Sequence, residues 1–163
     1  MTVTPAALRD AALLGGVSGM RTFMAPAVLA LRGRLARNPA RYALFVAAAG
    51  ELAADKHPAM SDRIDPPGLV GRMTSAAVSG RTVAGAPGAG LAAGIALAAA
   101  VASWRVRKEL AARVPDPALG AAEDALAFSL AWFATRELDR GDNIEGSDSL
   151  GGGRHAAGHR VRR

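Results

Sequence analysis

The sequence contains no cysteine and few aromatic residues. Of its 163 residues none is Cys, and only 4% are aromatic. Without cysteine the chain has no thiolate nucleophile, no disulfide and no Cys-ligated zinc or iron–sulfur site. A large soluble core would normally contain more bulky side chains than this. These absences exclude enzymes that depend on a cysteine nucleophile or on Cys-ligated metals. They also indicate that the core is built mainly from small apolar residues.

Basic residues are abundant but unevenly placed. Lys and Arg number 20 against 14 Asp and Glu, which gives a formal net charge of +6. Nucleic-acid binding usually requires a basic face, interleaved with aromatics where single strands are bound. Here the bases flank apolar stretches, as in membrane helices joined by cytoplasmic loops, so we expect a lipid bilayer as partner and no nucleic acid. The two flanking clusters are Arg32, Arg34, Arg37 and Arg41, and Arg105, Arg107, Lys108 and Arg113.

Long apolar stretches predict four membrane-spanning helices. Residues 84–104 carry no charge, and roughly 20 residues at about 1.5 Å each match a hydrocarbon core of about 30 Å. Residues 11–31 are nearly as apolar but have Arg21 at their centre. Residues 42–54 and 118–135 are also predicted to cross, although the acids inside them require contact with protein rather than lipid.

The segment 66–85 is more polar and needs a separate interpretation. If both cationic clusters face the cytoplasm, only one crossing can separate them before residue 84, and the helix at 42–54 provides it. We therefore predict a re-entrant or interfacial helix at 66–85, with five full spans as the alternative. The predicted fold is an all-α, polytopic membrane helix bundle. Its predicted location is the cell membrane, as for multi-pass proteins of the bacterial inner membrane.

The chain is predicted to have two parts and an internal repeat. Residues 1–135 form the integral membrane helical domain, and residues 136–163 form a disordered, basic, Gly-rich tail. Arg41 precedes Glu51 by the same interval as Arg113 precedes Glu123. This spacing favours a duplication into parallel repeats related by an axis along the membrane normal.

Two glycine pairs are predicted to pack helices together. Gly15 with Gly19, and Gly90 with Gly94, each form a GxxxG pair that places two glycines on one helix face. A neighbouring backbone can approach such a face closely. Association of helices in lipid depends on contacts of this kind.

Several short motifs resemble one known family. The sequence reads GGVSGMR at 15–21, GELAADKHP at 50–58, PPGLVGR at 66–72 and LGAAEDALAF at 119–128. These motifs resemble the small multi-span bacterial membrane proteins called domain of unknown function 4126. The resemblance covers about residues 11–135. It implies an integral membrane protein with a Gly-rich first helix and buried acidic positions, and it implies no reaction.

Ionisable residues inside the apolar segments are the candidate functional groups. Glu51 and Asp55 lie four residues apart and share one helix face. Glu123 and Asp124 are adjacent and diverge by about 100° around a helix, so we expect them to face different partners. A buried charge in a span is either functional or part of an ion-pair network that fixes helix packing. The predicted polar path or network consists of Arg21, Glu51, Asp55, Arg72, Glu123 and Asp124.

The sequence favours a small permease-like or channel-like protein, which we expect to be a homo-oligomer. The buried arginines and carboxylates would line a polar path for an ion, a proton or a small solute. Two alternatives remain open: a non-transporting membrane scaffold locked by the same charges, and a membrane-embedded lipid-modifying enzyme using Glu51 or Asp55. No catalytic residue, cofactor or metal is predicted. A carboxylate metal site that also used His57 would lack the paired Glu-x-x-His motif of such centres.

Overall fold

The protein folds into helices alone in the part of the chain that the structure describes. The computed structural model describes residues 3–35, 39–54, 65–110 and 113–151. The predicted all-α fold is confirmed over these residues. The helices are α1 (Pro5–Met20), α2 (Met24–Leu31), α3 (Ala40–Ala54), α4 (Pro66–Leu110) and α5 (Asp116–Gly151).

The first apolar segment is broken into two helices. The Thr4 hydroxyl accepts a hydrogen bond from the Ala7 amide at 3.2 Å, and a proline occupies the first turn, so α1 starts with a normal N-terminal cap. At the other end Arg21 is extended, with φ −138° and ψ 112°. The prediction of one continuous helix over 11–31 is therefore wrong, since the chain leaves helical geometry beside Arg21 and re-enters it at Met24.

α4 consists of two helices that fold back on each other. Ala84 and Gly85 are not helical, and Gly85 has a φ of +63°, which an L side chain rarely adopts. A Cβ placed on Gly80 would touch the Gly88 carbonyl and lie 2.6 Å from the Ala92 Cβ. A straight helix would separate residues eight and twelve apart by about 12 and 18 Å. Residues 66–83 therefore run antiparallel to residues 86–110.

This hairpin shows how the segment 66–85 packs. Ala76 lies with Ala92 and Ala96 in a buried cluster of small side chains, so the segment is covered by the 86–110 helix. The re-entrant or interfacial placement of 66–85 and the five-span alternative both stay predictions.

α1 lies along both halves of α4. A Cβ on Gly15 would lie 2.5 Å from the Ala92 carbonyl, and one on Gly19 would lie 2.7 Å from the Ala99 Cβ. The later residue of α1 contacts the later residue of the 86–110 helix, so these two helices run in the same direction. A parallel repeat requires this arrangement, but the duplication itself stays a prediction.

α2 turns back instead of continuing α1. α1 and α5 pack through Leu14, Val17, Met20, Ala127, Ala131 and Ala134. The Arg21 end of α1 meets Asp124 near the start of α5, so these two helices are antiparallel. Arg32, just after α2, lies over the Trp132 ring at 4.0 Å, eight residues further along α5. α2 therefore runs back toward the end of the bundle where α1 begins.

Arg32 and Arg107, one from each cationic cluster, contact α5 at different levels. Arg32 lies over Trp132, whereas Arg107 lies near Glu123, nine residues earlier in α5 and therefore about 13 Å away along the helix. Arg37 lies outside the described residues. The side of the membrane that each cluster faces stays a prediction.

The interior is built from small residues, and large apolar side chains point outward. Alanine supplies most of the buried apolar residues, and the larger ones come mainly from α1 and α2. Val46 is 72% exposed and Val70 is 64% exposed. Among the described residues, one helix, α4, is long and apolar enough to cross a membrane. Other large apolar side chains that are at least a third exposed include Leu97, Val106, Leu126, Phe128, Trp132 and Phe133.

Only one of the two glycine pairs packs helices within the chain. Gly15 and Gly19 touch the backbone of the 86–110 helix, but no described residue lies within 4 Å of a Cβ on Gly90 or Gly94. The packing role predicted for the second pair is wrong within a single copy. Ala92, two positions from each of them, is turned by about 200° around the helix and forms the contact instead.

α5 continues beyond the boundary placed at Arg136. The helix runs to Gly151, so residues 136–151 are helical rather than irregular. No proline interrupts this stretch, and extending an existing helix costs far less than starting one. Residues 152–163 of the predicted tail lie outside the described residues.

Gly19→Ala is expected to destabilise the protein, whereas Gly90→Ala is not. The new methyl at residue 19 would meet the Ala96 carbonyl and the Ala99 Cβ, so α1 would have to move away from α4. We expect a loss of about 1–3 kcal/mol for overpacking at residue 19, and no loss at residue 90, where alanine improves helix propensity. Thermal unfolding in detergent measures both. Equal unfolding midpoints for the two variants would contradict the packing described here.

Candidate functional site

The break between α1 and α2 lies halfway along the bundle. Gly19, near the end of α1, contacts Ala96, Ala99 and Ala100, and these residues occupy the middle of the 86–110 helix. The interrupted backbone and the charges around it are therefore far from both ends. An interior break leaves amides and carbonyls that need partners.

Arg21 forms the central ion pair of the site. Its side chain is 2% exposed, and Nε lies 2.6 Å from Asp124 Oδ1 while Nη2 lies 3.9 Å from Glu123 Oε2. The expectation that Glu123 and Asp124 face different partners is wrong. A guanidinium presents several donors in one plane, and the longer Glu side chain reaches a second nitrogen.

Glu123 extends the network to the 86–110 helix. The Ser103 hydroxyl donates to Glu123 Oε1 at 2.6 Å, and Arg107 Nη1 lies 3.3 Å from Glu123 Oε2. The carboxylate of Glu123 thus connects α5 with both α4 and Arg21. One ion-pair network holds the ends of three helices together.

Glu51 binds the backbone at the start of α2. Its Oε1 accepts the Thr22 amide at 2.7 Å, and its Oε2 accepts the Phe23 amide at 2.9 Å. A carboxylate at a helix N-terminus satisfies free amides and interacts favourably with the helix dipole. This side chain belongs to α3, so a third part of the chain supplies the cap.

Arg72 and Ser75 donate hydrogen bonds to backbone carbonyls at the break. Arg72 is 7% exposed, and its Nη1 donates to the Gly19 carbonyl at 2.7 Å. The Ser75 hydroxyl donates to the Thr22 carbonyl and lies 3.5 Å from the Ser18 hydroxyl. A cation near the C-terminal end of α1 is electrostatically favourable. The 66–83 helix therefore supplies the donors that the end of α1 lacks.

Five of the six predicted site residues come together around the break. Asp55 lies outside the described residues, so its position is not assigned. Sequence reasoning missed Ser75 and Ser103. Ser75 is three residues from Arg72 and so shares its helix face, a signal that was present in the spacing. Ser103 carries no such signal, because its role depends on the antiparallel packing of α5.

Buried Asp10 was also missed as an interior acid. Asp10 is 2% exposed, and its Oδ1 lies 3.1 Å from Arg9 Nη2. It precedes the first predicted span at 11–31, whereas α1 already begins at Pro5. Its burial follows from the earlier start of the helix.

The described residues of the site pair charged side chains with one another and with the backbone amides and carbonyls at the break. Its carboxylates accept from amides, a hydroxyl and guanidinium groups. Among the residues that the structure describes, no group of three or more His, Asp or Glu side chains could hold a metal ion. No family model, curated protein or solved structure matches this chain.

Arg21→Ala is expected to lower the free energy of unfolding by about 1–3 kcal/mol, because the half-buried carboxylates of Asp124 and Glu123 lose their shared cation. Replacing the pair by apolar residues, Arg21→Met with Asp124→Leu, removes both desolvation costs and should recover most of the loss. Chemical denaturation in detergent measures the two variants, with Arg105→Ala at an exposed position as the control. A single variant as stable as the wild type would show that the ion pair is dispensable.

Proposed function

We propose that the protein is an integral membrane protein. The distribution of side chains supports this assignment, because the interior is mostly small residues while the large apolar side chains of α3, α4 and α5 are exposed or half-buried in the part that the structure describes. A soluble fold buries its large apolar residues and rarely exposes so many. Helices in lipid instead associate through small residues and meet the hydrocarbon with large ones.

The geometry supports four crossing helices and one re-entrant pair. The crossing elements in this proposal are α3, residues 66–83, residues 86–110 and α5. The pair α1–α2 enters the bundle at the end where α1 begins and returns toward that end after reaching mid-depth. Irregular backbone at membrane depth is tolerated where protein covers it, and Glu51, Arg72 and Ser75 supply that cover here.

We assign a permease-like role to the break between α1 and α2. The observation that carries this proposal is a helix interrupted halfway across the bundle, with its amides on a carboxylate and a carbonyl on a buried arginine. Interrupted helices at the bilayer midplane are where many transporters bind solutes and ions. Glu51 would occupy the amide site in the closed state and leave it when a solute binds.

A membrane scaffold is the second candidate. The contact of buried Arg21 with Asp124 and Glu123 favours it, because a closed ion-pair network fixes helices without any solute. The family resemblance to domain of unknown function 4126 is consistent with either role and stays a prediction, as does the homo-oligomer.

Proteoliposomes containing the protein should pass small solutes faster than protein-free vesicles. Trapped pyranine reports proton entry, and light scattering reports swelling in small neutral and anionic solutes. Glu51→Gln should change the rate by at least about fivefold, since it weakens the cap on the amides, while Glu109→Gln at an exposed position should not. Wild-type rates equal to those of empty vesicles with every probe would favour the scaffold.

Cysteines introduced at Pro39 and Glu109 should label from opposite sides of the membrane. Pro39 precedes α3 at one end of the bundle, and Glu109 lies one residue before the end of α4 at the other. The chain has no native cysteine, so each variant reports one position. A membrane-impermeant maleimide applied to intact and inverted vesicles makes the comparison. Labelling from the same side would contradict the reversal of α2 or the α4 hairpin.

A further inference from the structure

A row of polar side chains follows the 66–83 helix from the break between α1 and α2 toward the turn at Ala84 and Gly85. We call this row the polar stripe, and it consists of Arg72, Ser75, Ser79 and Thr82. At about 100° per residue, its members fall within an arc of about 80° on the helix. The Ser75 hydroxyl lies 3.5 Å from the Ser18 hydroxyl of α1. The polar stripe therefore follows the interface between α1 and the 66–83 helix.

The Ser79 hydroxyl is buried in this interface without a hydrogen-bond partner among the described residues. Its side chain is 0% exposed. A serine or threonine in a helix often donates to the carbonyl four residues earlier, as Thr82 does to Val78 at 2.9 Å, but Ser79 does not. Buried hydroxyls in native proteins usually have a partner, and bound water is a common one.

Polar groups lie one helical turn from Ser79 on both sides. Thr82 is exposed next to the turn that ends the 66–83 helix, so it meets the surroundings of the bundle. Ser75 is half-buried and donates to the Thr22 carbonyl at the break. The rise from Ser79 to either neighbour is about 4.5–6 Å, which one water spans with two hydrogen bonds of about 2.8 Å.

The neighbouring face of the same helix makes an apolar contact instead. Ala76 is turned by about 60° from Ser79 and packs with Ala92 and Ala96. We call this packing the alanine contact. Its members offer no side-chain hydrogen-bonding group, so a water molecule there would lack the polar partners that it needs. Two adjacent faces of one helix therefore differ sharply in what they can bind.

We infer that water binds along the polar stripe and forms a single row of molecules from the end of the bundle to the break. Thr82 and Ser79 bind the outer molecules, and Ser75 with Ser18 binds the inner ones. Hydroxyls both donate and accept, so such a row passes water and protons. The inference rests on the proposed permease-like role, and it deepens that role by naming the path through one half of the bundle.

The reactivity of introduced cysteines tests this inference, because the chain has no native cysteine. Ser79→Cys and Ala76→Cys each place a thiol at a position of 0% exposure on the same helix. Each variant in proteoliposomes is treated with methanethiosulfonate ethylammonium, and the remaining thiols are labelled with a fluorescent maleimide after denaturation. The thiolate is the reacting form, and apolar surroundings suppress it. Ser79→Cys should therefore react at least about tenfold faster than Ala76→Cys.

Equal rates for the two cysteine variants would overturn the inference. A second measurement, the thermal unfolding of Ser79→Ala, decides the matter even if Ser79→Cys folds poorly. A hydroxyl that has neither water nor another partner destabilises the fold, so its removal would raise the unfolding midpoint by about 3 °C or more. A hydrated hydroxyl predicts a midpoint that is unchanged or lower, and a raised midpoint would contradict it.

Neither measurement uses solute flux. Fast reaction at Ser79→Cys in a protein that passes no solute would remove the permease-like role and leave the hydrated stripe in place. Flux through a protein whose Ser79→Cys variant reacts as slowly as Ala76→Cys would keep the role and place its path elsewhere.

Discussion

Close contact between α1 and the α4 hairpin determines where the polar cluster around Arg21 forms. Glycines at 15 and 19 let the backbone of α1 touch that of the 86–110 helix, so no side chain separates them. The end of α1 is thereby held halfway along the bundle. The Gly19 carbonyl there accepts a hydrogen bond from Arg72 of the 66–83 helix, and Arg21 pairs with Asp124 of α5. The polar cluster is a consequence of this packing, because each of its members satisfies a group that the close approach has buried.

The cluster also explains how an interior of small side chains specifies one packing arrangement. Alanine surfaces offer few distinct shapes, and many registers of two alanine-rich helices would pack almost equally well. Directional contacts remove this ambiguity. Each of these contacts fits one register only. They are the two hydrogen bonds that Glu51 accepts, the hydrogen bond that Arg72 donates to Gly19, and the ion pair of Arg21. Buried polar groups can specify an arrangement even where they add little net stability.

Much of the site could be predicted from the sequence, whereas the path of the chain could not. Charges within apolar segments are costly, so Arg21, Glu51, Arg72, Glu123 and Asp124 were identifiable as interior groups from their positions alone. The direction of each helix was not identifiable. Gly85 reverses the chain and Gly90 does not, yet both are glycines in the same alanine-rich segment. The partner face of α4 uses Ala92 and Ala96, so a search for glycine pairs finds the wrong side of the helix.

α3 is attached to the rest of the bundle by few contacts. Glu51 fixes this helix to the start of α2, and α3 packs chiefly against α2 rather than against α1, α4 or α5. Elements with few packed neighbours open locally at a free-energy cost well below that of global unfolding. α3 can therefore detach while Arg21 stays paired and α1 stays seated on α4. Such a partial opening would uncover two amides at mid-depth from the side of the bundle, so access to the interior would be lateral rather than along the bundle axis.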